Sequence, residues 1–158
     1  MSEENSQDLF EEITNSDEFN ELIHIGHIVR SFEWYNHKFE IRTLKLEEEL
    51  IVGQIVKEFT DTIAEEKAAA VAIAAACIVS INNTPFMPRY DKSAYINIKE
   101  KFNYILKNWN WIIIESINGE YVQLLASMYD EIERVENLSS KDLKNSSSFS
   151  DPLTDQVS

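Results

Sequence analysis

The sequence predicts an α+β protein, predominantly α, with a small N-terminal β-hairpin packed on a bundle of about four helices. Three observations carry that prediction. Three glycines and three prolines in 158 residues are too few for the many tight turns of an all-β fold. Residues 23–44, IHIGHIVRSFEWYNHKFEIRTL, are dense in Ile, Val, Phe, Trp and Tyr and alternate on either side of Tyr35-Asn36-His37-Lys38. Downstream, apolar residues recur every three or four positions along several long stretches, the period of half-buried helices.

Taken in order, residues 1–22 hold eight acidic side chains and no basic one, so −8 of the total charge of −14 lies there. Anchored by little more than Leu9, Phe10, Ile13 and Phe19, they read as an acidic flexible arm with a short helix near residues 7–14. A single globular domain over residues 23–138 follows. Its hairpin spans residues 29–35 and 38–44, with Asn36 tolerating the positive φ of a tight turn. A lone hairpin is marginal in water, so it must pack on the helices.

FEIRTLKLEEEL, residues 39–50, passes from strand alternation into a helix start with no glycine or proline between. Glu47, Glu48 and Glu49 then fall in the first turn of a helix over residues 45–61, where they complement its dipole. Leu46, Leu50, Ile55, Phe59 and Ile63 form its apolar stripe. Thr62-Ile63-Ala64-Glu65 fits a capping box opening a second helix, residues 62–81. Its run KAAAVAIAAACIVSI is apolar on all faces, which places it at the centre of the body.

NNTPFMPRYDK, with two prolines and two asparagines, is a connection. A third helix, residues 93–107, presents Tyr95, Ile98, Phe102, Ile105 and Leu106. A fourth, residues 110–137, carries Trp111, Ile114, Ile117, Tyr121, Leu125, Met128, Ile132 and Val135. Gly119 inside it costs roughly 1 kcal/mol relative to alanine, which points to a bend or a close packing contact. The serine-rich residues 139–158 read as a disordered tail.

Function is narrowed mostly by exclusion. An acidic chain repels phosphate, so no direct nucleic-acid partner is expected. One cysteine, Cys77, excludes an internal disulfide, and within the alanine-rich helix its thiol is expected to be buried and inert. The N-terminus lacks the basic and apolar regions of a secretory signal, and Ala68 to Val79 is too short to span a bilayer, so no membrane partner is expected. His24 and His27 form H-x-x-H, and Glu21 with His24 forms one E-x-x-H, where a helical di-iron site needs two. Gly26, Gly53 and Gly119 are isolated, so no phosphate-binding loop exists, and no G-x-S-x-G is present. The expectation is a binding protein: no catalytic residue, no metal and no cofactor.

Aromatic residues in turns and loops anchor protein interfaces. Trp34 and Tyr35 at the hairpin turn, and Phe86, Met87 and Tyr90 in the connection, are the candidate partner-binding residues. Trp109 and Trp111 add to the aromatic complement at a helix junction.

From HKFEIRTLKLEEEL through AAAVAIAAACIVSINNTPF to FNYILKNWNWIIIESINGEYVQLLASMYDEIERV, about residues 37–138, the chain resembles tail or baseplate assembly chaperones of tailed bacteriophages. The resemblance rests on the order of elements: a short β-element, an acidic helix, an alanine-rich helix and a W…IIIESINGEYVQLL helix. It implies a non-enzymatic morphogenesis protein of the host cytoplasm or the virion. Its partners would be phage structural proteins (tape-measure, tail-tube or baseplate), and it could itself form a homo-oligomer. Two other readings stay open: a structural virion subunit of the head–tail, tail or baseplate, and an acidic DNA mimic that inhibits a host protein.

Overall fold

A computed structural model describes residues 27–88 and 90–146. Strands β1 (Val29–Trp34) and β2 (His37–Arg42) are followed by helices α1 (Leu46–Lys57) and α2 (Glu65–Cys77). Strands β3 (Ile78–Ile81) and β4 (Thr84–Pro85) come next, then helices α3 (Ala94–Asn108) and α4 (Trp111–Ser146). The strands form one antiparallel sheet in the order β1-β2-β3-β4. The fold is mixed α+β and mostly helical, as its composition implies.

The expected hairpin is present but is only half of the sheet. Tyr35 (φ 48°) and Asn36 (φ 62°) make a two-residue turn with both residues left-handed, the twist that matches a right-handed pair of strands. The second helix, expected over residues 62–81, stops at Cys77, and Ile78–Ile81 is a strand. Two β-branched isoleucines and a valine favour the pleated edge of β2, and Asn82 (φ 51°) and Asn83 (φ 62°) make a second left-handed turn into β4. Phe39 lies opposite Ile81, Glu40 opposite Ser80 and Ile41 opposite Ile78, so Val79 is the extra residue of a bulge. The free edge, β4, is two residues long and ends in a proline, which limits pairing with another chain.

Helix α2 packs against α1, α3 and α4 and forms the centre of the body, as its all-round apolar pattern implies. Ala68, Ala72, Ala74, Ala75 and Ala76 are buried, and their small side chains let the neighbouring helices approach closely. Its N-terminus corrects the expected capping box. Ala64 is the N-cap, the Thr62 hydroxyl donates back to the Phe59 carbonyl, and Glu65 accepts from the Asp61 N–H at 3.2 Å.

The box is found one helix earlier, in half. Glu48 Oε2 accepts from the Lys45 N–H at 2.9 Å, and the same carboxylate takes Arg42 Nη1 at 2.8 Å. Arg42 in turn donates to the Thr43 carbonyl, beside the buried Thr43 side chain. The Glu48 anchor turns Ile51 and Ile55 into the core, while Leu46, Leu50 and Ile63 of the expected stripe lie exposed. In α3, capped by the Ser93 hydroxyl on the Ile96 N–H, Ile98, Phe102 and Ile105 are buried but Tyr95 and Leu106 face outward.

Helix α4 contributes Ile114, Ile117, Tyr121 and Leu124 to the core, with Ile113 and Leu125 packed at its margin. A Cβ at Gly119 would meet nothing within 4 Å, so the expected close contact is absent. The helix also runs to Ser146, into the stretch read as a disordered tail. The arm over residues 1–22 and the chain past Ser146 lie outside the described residues.

Candidate functional site

The two left-handed turns meet at one end of the sheet, and a side-chain lattice ties them together. The Asn82 N–H donates to the Lys38 carbonyl at 2.7 Å, and Asn82 Oδ1 accepts from the Lys38 N–H at 2.9 Å. Asn82 Nδ2 also lies 3.0 Å from His37 Nδ1, a donor–acceptor pair when that ring nitrogen carries no proton. The Tyr35-Asn36 turn is thereby tied to the Asn82-Asn83 turn, and Trp34 and Tyr35 face Trp109 and Ile112 near the start of α4.

Between these parts opens a groove of about 560 Å³. Its floor is Phe39 and Ile81, paired across β2 and β3. Trp34, Tyr35 and His37 line it from the hairpin, and Trp109, Ile112 and Ile113 line it from the α3–α4 junction. Every lining residue except His37 is apolar or aromatic. Tyr35 is 78% exposed and Ile112 58% exposed. The Trp34 and Tyr35 rings meet edge to face at 4.5 Å, which props the tyrosine at the rim. Such a groove can hold an apolar side chain or two of a partner, and it offers no reacting group.

Of the five candidate residues, Trp34 and Tyr35 are in this groove and the other three are not. Phe86 is buried, its ring 5.5 Å from Trp109, so it supports the groove wall from behind. Met87 is half-buried against the core and takes a left-handed φ of 45°. Tyr90 is 92% exposed. Phe86 and Tyr90 line a second, polar recess of about 480 Å³ with Glu40, Arg42, Asn97 and Lys101.

That recess is governed by burial and ion pairing. Arg42 and Glu48 form a bidentate pair. Burial acts to raise the Glu48 pKa, but hydrogen bonds from Arg42 and the Lys45 backbone, with their charges, outweigh it and hold the carboxyl below its ordinary value. Burial and the nearby Arg42 charge push the Lys101 ammonium down, while its Nζ sits 5.7 Å above the Phe86 ring. Cys77 is wholly buried, and burial pushes its thiol up to about 12.

Sequence reasoning missed Phe39, Ile81, Ile112 and Ile113 as groove residues. Trp109 was legible as a junction aromatic. The missing signal was the Asn82-Asn83 turn, since only a second hairpin brings Ile81 beside Phe39. Among the described residues, no group of three or more His, Cys, Asp or Glu side chains could hold a metal, and no helix is long and apolar enough to cross a membrane. No family model, curated protein or solved structure matches the chain.

Proposed function

We propose that the protein is a non-enzymatic binding protein of phage morphogenesis, a tail assembly chaperone that holds an apolar segment of a tape-measure or tail-tube protein in the aromatic-rimmed groove. The observation that carries this reading is Tyr35. A left-handed φ costs a bulky residue about 1 kcal/mol, and the first position of such a turn favours Asn, Asp or Gly. Tyr35 takes it at φ 48° while 78% exposed, its edge-to-face contact with Trp34 offsetting part of that cost and holding the ring up at the groove rim. A tyrosine at the rim of an apolar groove is a favourable interface anchor, and strained exposed residues cluster where partners are gripped.

The chaperone activity follows from combining that groove with the chain's charge. The groove covers an apolar, aggregation-prone segment of the partner, and a net charge of −14 keeps the complex from associating further. The test pairs mass spectrometry of purified virions with capture from infected-cell lysate. The reading expects capture of a long tail protein and absence from virions. Stoichiometric presence in virions would make the chain a structural subunit instead, and the capture of host DNA-binding proteins alone would favour the acidic mimic.

A further inference from the structure

We infer that the protein pairs with a second copy of itself through strand β1, which joins the two sheets into one, with the two α4 helices crossing antiparallel at Gly119. The sheet has two edges, and only β4 is blunted. Strand β1, the opposite edge, is six residues long and contains neither proline nor glycine. The Thr43 N–H donates to the Ile28 carbonyl at 3.0 Å, which fixes the alternation of the ladder. Ile28, Arg30, Phe32 and Trp34 bond toward β2, while the backbone groups of Val29, Ser31 and Glu33 point outward. Among the described residues, nothing pairs with those outward groups.

The occupant follows from the strand's own symmetry. Set antiparallel about Ser31, two copies of β1 place Ser31 opposite Ser31 and Val29 opposite Glu33. Every outward N–H and C=O of both strands is then satisfied. Arg30 falls opposite Phe32 of the second copy, and Trp34 opposite Ile28. No like charges oppose each other across the join. The charged residues of β1 are Arg30 and Glu33, the first tied to Glu120 at 3.0 Å and the second facing Lys38 on β2.

Helix α4 supplies a second contact with the same symmetry. Arg30 holds Glu120 and Gln123, and Trp34 shares the groove with Ile112 and Ile113. The helix thus runs alongside β1, and Gly119 comes level with Ser31. Its residues Ile114, Ile117, Tyr121 and Leu124 turn into the core. Gly119, Val122 and Ala126 lie on the opposite side, which faces out past the β1 edge. Val122 is 64% exposed, and a Cβ at Gly119 would meet nothing within 4 Å. Paired strands lie only about 4.8 Å apart, so helices beneath two joined edges are crowded together. Glycine and alanine are the residues that let them meet. A mid-helix glycine weakens the helix relative to alanine, and contacts within one chain give nothing in return.

Charge permits the contact. With Gly119 opposite Gly119, Glu115 falls opposite Gln123 of the second copy, and Glu120 is already held by Arg30. The overlap ends where Ser127 meets Trp111, so Asp130, Glu131, Glu133 and Arg134 lie past it. Each copy still carries a net charge of −14, so added salt strengthens the pairing.

The test is sedimentation equilibrium of the full-length chain over a range of concentrations, joined to oxidative cross-linking. Ser31→Pro removes the central outward N–H without breaking a bond to β2, and Gly119→Gln fills the open face of α4. The native chain is expected to dimerise, and each variant to weaken the dimer at least about tenfold. Circular dichroism checks each fold, and Gly119→Gln decides should Ser31→Pro unfold. Cysteine variants read the register, and buried Cys77 does not compete. Ser31→Cys places the two Cα atoms about 5.5 Å apart, within disulfide reach, and should cross-link into dimers. Glu33→Cys lies about 13 Å from its counterpart and should not. A native chain that stays monomeric, a folded Gly119→Gln that dimerises as the native chain does, or equal cross-linking of both cysteine variants would overturn the inference. None of these readouts involves capture of a tail protein, so the groove is judged separately.

Discussion

At the scale of single residues, burial and pairing decide chemistry. Cys77 ends α2, wholly buried, with its Sγ 3.7 Å from the Ala74 carbonyl, and its thiol, pushed up to about 12, leaves almost no thiolate at neutral pH. Its reaction with an aromatic disulfide reagent at pH 8 is expected to be undetectable in the folded protein. On unfolding in guanidinium it should release one equivalent. Glu48 provides a pH test. Its folded pKa lies below the ordinary 4.5, so its stabilisation is fully present above 4.5 and is lost as pH falls through the lower folded value. Glu48→Gln is expected to reduce stability by about 1–2 kcal/mol at pH 7, from the loss of charged hydrogen bonds. The gap to the native chain should narrow as pH falls from 4.5 through the lower folded value, as followed by urea denaturation. The inert cysteine was legible in the sequence because an all-apolar alanine run has nowhere to expose it. The Arg42–Glu48 pair was not, since the glutamate looked like one of three equivalent first-turn acids.

At the scale of elements, helices read more clearly than strands. The Ser93-capped helix and the long W…IIIE helix were visible because a 3.6-residue period repeats over many turns, and the alanine-rich helix because a long run of strong helix formers is apolar on every face. Strand β3 was hidden because Ile78, Val79 and Ile81, following an apolar helix, carry little change of hydrophobicity, only a shift to β-branched side chains. Gly119 offers a clean test on α4. With open space at its Cβ, Gly119→Ala is expected to stabilise the protein by roughly 1 kcal/mol, measured by chemical denaturation. The β1–β2 turn gives a test with opposite signs. Tyr35→Asn relieves the left-handed strain and is expected to raise stability by about 0.5 kcal/mol, while partner capture falls. A variant that gains stability and keeps full capture would remove the reason offered for the tyrosine.

At the scale of the molecule, the sheet and the helices meet twice along α4, and the two meetings differ in kind. At the start of the helix, two hairpin turns tied through Asn82 frame a groove of aromatic and aliphatic side chains. Farther on, Arg30 clamps β1 to Glu120 and Gln123, and the helix then leaves the body. The sequence reading located three of the groove's eight lining residues, Trp34, Tyr35 and the junction tryptophan Trp109. It could not join them to Phe39 and Ile81, because that neighbourhood depends on β2–β3 pairing across two intervening helices. Phe86, Met87 and Tyr90 drew notice for the same chemistry, yet the connection folds them onto the wall or away from the groove. The most direct measurement of the central claim compares capture of a tape-measure or tail-tube protein by the native chain, by Ile112→Ser and by Tyr90→Ala. Ile112 is 58% exposed, so the substitution should change stability by no more than about 0.5 kcal/mol. If the groove holds the partner, capture falls about tenfold for Ile112→Ser and is unchanged for Tyr90→Ala. Full capture by Ile112→Ser, with its fold intact, would contradict the account.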